Sequence, residues 1–175
     1  MAGVLEQLNA IRAKGGDDIR TTGLSDETVC QFVSHDPELA DAVNAATEEF
    51  EALEREYPEL MKLGELEQIA AIEKHLVNFY ADDTVNPYVS LAARGPWIVT
   101  TKGAVLHDNG GYGMLGFGHL PAPIMDAMSK PQVMANVMTP SISQLRLAEA
   151  LEREIGQTRD DGCPFTHFLA MNSGS

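Results

Sequence analysis

The chain has 175 residues, 44% hydrophobic and 22% charged, with a formal net charge of −14 at pH 7. That is enough for one domain with a real core, and the acidic balance excludes the basic footprint that a nucleic-acid partner requires. No apolar run approaches the roughly 20 residues of a membrane helix, the N-terminus lacks the pattern of a secretory signal, and Cys30 and Cys163 stand alone; the expectation is a soluble, cytoplasmic protein with no membrane partner, disulfide framework or metal site.

The charge is uneven. Residues 1–83 carry 19 Asp/Glu against 6 Lys/Arg, and residues 84–175 carry 7 against 6. The segment 81–88, "ADDTVNPY", punctuates the change. We therefore expect an acidic helical N-terminal extension over 1–85 and a second part over 86–175. The expected fold class of the chain is α+β, mostly helical with a small β-hairpin.

In chain order, Ser25 is a good N-cap for a helix whose Val29, Phe32 and Val33 share a face. Asp36 caps the next helix, and Pro37 takes its first position, where a missing N–H costs nothing. Leu39, Val43, Ala46, Phe50, Leu53 and Tyr57 then recur at spacings of 4, 3, 4, 3, 4, an apolar seam beside an acidic face. Pro58 is expected to stop this helix. A third helix is predicted from about Leu63 to Phe79, with Leu66, Ile69, Ile72, Leu76 and Phe79 buried. These helices make a core layer or, alternatively, a partner-binding arm.

Two strands are predicted next, Ile98–Thr101 and Ala104–His107, around a Lys102-Gly103 turn. Asp108 begins a second turn as a residue that caps backbone N–H groups. The stretch "DNGGYGMLGFGHLP" follows, in which Gly111, Gly113 and Gly116 spell G-x-G-x-x-G. A dinucleotide loop needs a helix opening on the third glycine and an acid about 20 residues on. Here "FGHLPAP" delays the helix and Asp126 comes too early, so the context contradicts that role. "APIMDAM" is a short helix with Pro121 or Pro123 at its start. "SISQLRLAEALEREIG" is a longer one, capped by Ser141 or Ser143 and closed by Gly156, with Leu145, Ala148, Leu151 and Ile155 as its apolar stripe. Phe168–Met171 is predicted as a buried strand running into "NSGS". The five histidines show no metal-ligand spacing.

Taken in order, "KGAVLHDNGGYGMLGFGH", a short helix, "SQLRLAEALEREIG" and "FLAMNSGS" resemble the class III pyridoxal-phosphate (PLP) dependent aminotransferases. That family shows a G-x-x-x-x-D strand turn, a Gly-His before the first large-domain helix, an L-x-x-x-L helix and an N-S-G-S-E-A cofactor loop. The likeness runs from Gly95 to Ser175. One local departure is Ala122, where the family usually has the proline of Gly-His-x-x-Pro.

The resemblance implies the start of a fold-type-I transferase, α/β when complete. PLP would be the cofactor, bound through small residues at a strand end: Gly174 and Ser175 offer N–H groups and Ser173 shapes the turn. Tyr112 would line the substrate pocket. His119 would close the glycine loop as a hydrogen-bonded core histidine. The partners implied are an amino donor and a keto acceptor, in a homodimer with the site at its interface. The family's cofactor-bonding lysine and its pyridinium-holding acid come downstream of S-G-S, and Lys14, Lys62, Lys74, Lys102 and Lys130 match no such motif. The expectation is an N-terminal part with no catalytic residue of its own and no transaminase activity alone. Aminomutases, racemases and decarboxylases share the scaffold. The alternative from another class is a stand-alone helical interaction protein.

Overall fold

A computed structural model describes residues 2–16, 18–77, 88–109, 116–131, 133 and 138–169. The protein is mixed α+β and divides into two compact units, Met1–Met128 and Ser129–Ser175.

The first unit opens with α1, Ala2–Lys14, a helix without a strong sequence signature. Its Val4, Leu8 and Ile11 enter the core. Helix α2 (Asp26–Val33) starts as expected at Ser25, whose hydroxyl accepts a hydrogen bond from the Thr28 amide. Of its apolar face only Val29 is buried, and Phe32 is partly exposed against Trp97. Helix α3 (Pro37–Glu56) has the predicted Asp36 cap, and Leu39, Val43, Ala46 and Phe50 form its buried stripe. Tyr57 ends that stripe at the surface, 50% exposed. Pro58 does not simply stop the chain's helical course, because it opens a four-residue helix α4, Pro58–Met61. Proline at the first helical position loses no needed donor.

Helix α5 is shorter than predicted, Glu65–Glu73, and shows a different face. Leu66, Ile72 and Leu76 are exposed, whereas Glu65 and Gln68 are buried. Polar partners reverse the apolar pattern here. Gln68 donates to the Leu60 carbonyl (3.1 Å) and accepts from the Thr101 hydroxyl (2.7 Å). Glu65 Oε2 accepts from the amides of Arg20 (2.6 Å) and Thr21 (2.8 Å). Residues 78–87, with Phe79, lie outside the described residues.

The sheet has three antiparallel strands in the order β1-β2-β3: β1 Ser90–Arg94, β2 Trp97–Thr100 and β3 Val105–His107. The expected hairpin is thus a meander, with β1 added at its edge. Thr101 and Ala104 lie in the β2–β3 connection rather than in strands. Gly95 and Pro96 join β1 to β2, pairing Arg94 with Trp97. Gly95 takes φ +50°, a conformation glycine adopts freely. Helix α3 packs across β1 and β2, so its stripe and Trp97, Val99 and Val105 share one core.

The β2–β3 turn is anchored by a buried cation. Lys102 is 1% exposed, and its Nζ donates to the carbonyls of Gly15 and Leu63. The turn is thereby tied to the chain just after α1 and just before α5. Arg12 adds a second tie, donating from Nε to the Gly103 carbonyl at 3.1 Å.

Helix α6 (Ala122–Ser129) starts one residue after Pro121, whose carbonyl accepts from the amides of Ile124 and Met125. In the second unit, α7 (Ile142–Gly156) carries a capping box. Ser141 Oγ accepts from the Gln144 amide, and the Ser141 amide donates to Gln144 Oε1 at 2.8 Å. No residue of α7 is buried, so its predicted stripe is no core in this unit. The predicted strand at Phe168–Met171 is also corrected. Phe168 and Leu169 belong to no strand, and Leu169 is 86% exposed. Met171 is outside the described residues.

Replacing Lys102 by Met is expected to lower unfolding stability by roughly 1–3 kcal/mol, because a buried and a part-buried carbonyl lose their donor. Burial also lowers the Lys102 pKa from 10.5, against the opposing charges of Glu65 and Glu67. Between that lowered value and 10.5 the unfolded chain binds more protons, so this residue's contribution to stability rises with pH across the window. Urea unfolding at a series of alkaline pH values should show the rise in the native chain relative to Lys102→Met. Parallel curves for the two proteins would contradict it.

Candidate functional site

The residues singled out around the glycine stretch meet at the Gly95–Pro96 end of the sheet. Gly95 and His119 form an isolated antiparallel bridge. The Gly95 amide donates to the His119 carbonyl (3.1 Å), and the His119 amide donates to the Gly95 carbonyl (2.7 Å). The chain entering the bridge is Gly118, with φ +75°. A Cβ added there would meet Gly95 backbone atoms at 2.8 Å. Only glycine lets these backbones approach so closely.

The side chains repeat the link. Asp108 follows β3 and donates its amide to the Pro96 carbonyl at 2.7 Å. Its Oδ2 lies 3.0 Å from His119 Nε2. The expected hydrogen-bonded histidine is found, although it is half-buried at the rim rather than in the core. Asp108 does more than shape its turn, since its carboxylate orients the imidazole across the loop. Next to it, His107 Nδ1 lies 2.8 Å from Asn109 Oδ1, and the His107 ring meets Trp97 edge-on at 5.0 Å.

Trp97 connects this end of the sheet to α3. Its Nε1 donates to Asp36 Oδ2 at 2.7 Å, while Asp36 Oδ1 caps α3 at the Glu38 amide. One carboxylate therefore fixes both the helix start and the strand. The cap is legible in the sequence; its second partner, 61 positions away, is not.

A polar cavity of about 400 Å³ opens here. Its lining includes Glu38, Asp108, Asn109, Phe117 and His119. Asn109 and Gly116, the described residues flanking the segment that contains Tyr112, both line it. A second cavity of about 390 Å³ shares His119 and is lined by Tyr88, Ser90 and Ile98. Burial raises the Tyr88 pKa above 10.0, and the Asp108 charge raises it further.

Among the described residues that line it, the polar cavity carries two carboxylates and no Lys or Arg. Such a wall repels a phosphate and favours a neutral or cationic polar group. It does not fit the phosphate end of PLP. The residues expected to hold that phosphate, Ser173, Gly174 and Ser175, lie outside the described residues, as does Tyr112. Among the described residues, no three His, Cys, Asp or Glu side chains group to hold a metal ion. No helix among them is long and apolar enough to cross a membrane. Against known proteins, the chain matches no family model, no curated protein and no solved structure.

Sequence reasoning marked Asp108 as a turn residue and His119 as a hydrogen-bonded histidine after Gly118, but missed their convergence on Gly95. The available signal was the Gly-Pro pair before Trp97, which forces the β1–β2 turn beneath them. Alanine at Gly118 is expected to cost roughly 1–3 kcal/mol, because backbone faces its Cβ at positive φ. Alanine at Gly95 should cost less, since the atom in its way is the end of the exposed Glu38 side chain. Urea midpoints of the two variants test this order. Removing the charge with Asp108→Asn should lower the Tyr88 pKa, read by NMR titration of ring-labelled tyrosine. An unmoved Tyr88 would separate it from the Asp108–His119 pair.

Proposed function

We propose that this chain is the N-terminal region of a PLP-dependent aminotransferase that moves an amino group between an amino acid or amine and a 2-oxo acid or aldehyde. One observation carries the reading: Gly118-His119 is bonded at once to Gly95 and to Asp108. Asp108 and Gly118-His119 are positions of the motifs that resemble the class III family, and Gly95 stands where that likeness begins; they meet at one cavity.

In this reading the hairpin is a platform. Asp108 holds His119, and His119 holds the return of the glycine stretch against the sheet. Asn109 and Gly116 line the cavity, and in this reading the substrate-pocket role that the resemblance gives Tyr112 belongs to the segment between them. The acidic lining suits the ammonium end of an amine substrate better than its carboxylate. Ser173, Gly174 and Ser175 would hold PLP, which would supply an electron sink for amino-group transfer. Within this chain Lys102 does not take the lysine's part, because its amine is buried and donates to two backbone carbonyls. The likeness implies a homodimer and the two isolated cysteines fit a reducing cytoplasm, and we include both in the proposal.

The test is the intact mass and cofactor content of the protein purified from its source. The expected result is a mass well above 19.0 kDa, with PLP released on denaturation. A cofactor-free protein of 19.0 kDa that unfolds cooperatively would overturn the reading in favour of a helical interaction protein.

A further inference from the structure

We propose that an apolar groove at the foot of α3 receives a basic amphipathic helix from a partner protein. The groove goes beyond the aminotransferase reading and does not depend on a cofactor. It encloses about 480 Å³ and is walled by Leu53, Tyr57, Leu60, Ala71, Ile72 and Val89. That volume lies within the roughly 300–1,000 Å³ of ordinary binding sites. Two of its polar side chains are engaged, since Gln68 and Thr101 are bonded to each other and Gln68 also donates to Leu60, and Ser90 adds a small hydroxyl to a wall that is otherwise mostly apolar. What faces outward is mainly hydrophobic, with Tyr57 and Ile72 close to half exposed.

Charge selects the occupant. Residues 48–74, which build most of the groove, carry 9 Glu against 3 Lys/Arg; Glu65 is buried and Glu54 is paired with Lys14 at 2.7 Å, and the other seven Glu still outnumber the three cations. One of those cations, Lys62, is already paired with Glu59 at 2.8 Å. A second copy of this chain would bring the same acidic helices and be repelled. An incoming helix with apolar anchors at i, i+3 or i+4 and i+7, flanked by Lys or Arg, satisfies both the groove and its rim.

The probe is a synthetic helix of about 18 residues, or five turns, with leucines on one face and lysines on the rest. Its control has the same composition with the leucines dispersed around the helix. Fluorescence anisotropy with the full chain near physiological salt should show the ordered peptide binding at least about tenfold tighter than its control. Ala71→Trp fills the groove without changing charge, and Ile72→Gln strips one wall. Both sites are exposed on α5, so circular dichroism should be unchanged. Each variant should bring the ordered peptide down to the level of the control. Equal binding of the two peptides would mean unspecific attraction to an acidic surface and would overturn the proposal. So would variants that bind like the native chain, or no binding at all. A native dimer in sedimentation that Ala71→Trp dissociates would assign the groove to a second copy instead.

Discussion

A single buried ammonium governs the first unit. Lys102 stands at the tip of the β2–β3 turn, where a charge inside protein is costly unless hydrogen bonds replace its water. The bonds it finds come from the ends of other elements, the carbonyls of Gly15 and Leu63. Helix ends leave carbonyls unsatisfied, and a lysine stem can cross a core to reach them. The turn, the end of α1 and the start of α5 thus meet at one point. Nearby, Glu65 organises residues 20 and 21 through their amides, while its Oε1 is buried with no hydrogen-bond partner among the described residues. Polar groups inside this unit specify its arrangement, and the apolar stripe of α3 supplies the area that stabilises it.

The opposite end of the sheet depends on that arrangement. Asp36 couples the start of α3 to Trp97, and Trp97 packs on Phe32 and His107. With β2 held between α3 and β3, Asp108 emerges where His119 can meet it. The Gly95–Gly118 contact then closes the rim of the polar cavity. Helical layer and candidate site are one mechanical piece, although the composition changes sharply between them. Apart from the buried Glu65, the glutamates of α3 to α5 lie on the outer side of this piece, where they give charge to the groove at the foot of α3.

How far the sequence reveals this differs by element. Helix α3 is legible because capping, proline position and a heptad seam agree. Helix α5 is legible as a helix but not in its facing. Its leucine and isoleucine spacing points one way, yet paired polar groups at Glu65 and Gln68 occupy the interior. Strand β1 escapes because "SLAAR" has small side chains and no β-branched alternation. Helix α1 escapes because it has no cap signal and a weak stripe. In the candidate site, Asp108, Gly118 and His119 are marked by their residue types. Their joining through Gly95 is a tertiary fact that spacing alone does not encode. The apolar stripe of α7 shows the converse, a clear sequence pattern without burial in its own unit.

The central claim is that α1, α3 and the sheet fold as one cooperative body around the Lys102 tie. Native-state amide hydrogen exchange with increasing urea tests it most directly. The account predicts that core amides such as those of Leu8, Val43 and Val99 converge on one opening free energy and lose protection together. Helix amides that stay protected after the strand amides have exchanged would contradict it, and would make the sheet and its cavity an appendage of an independent helical layer.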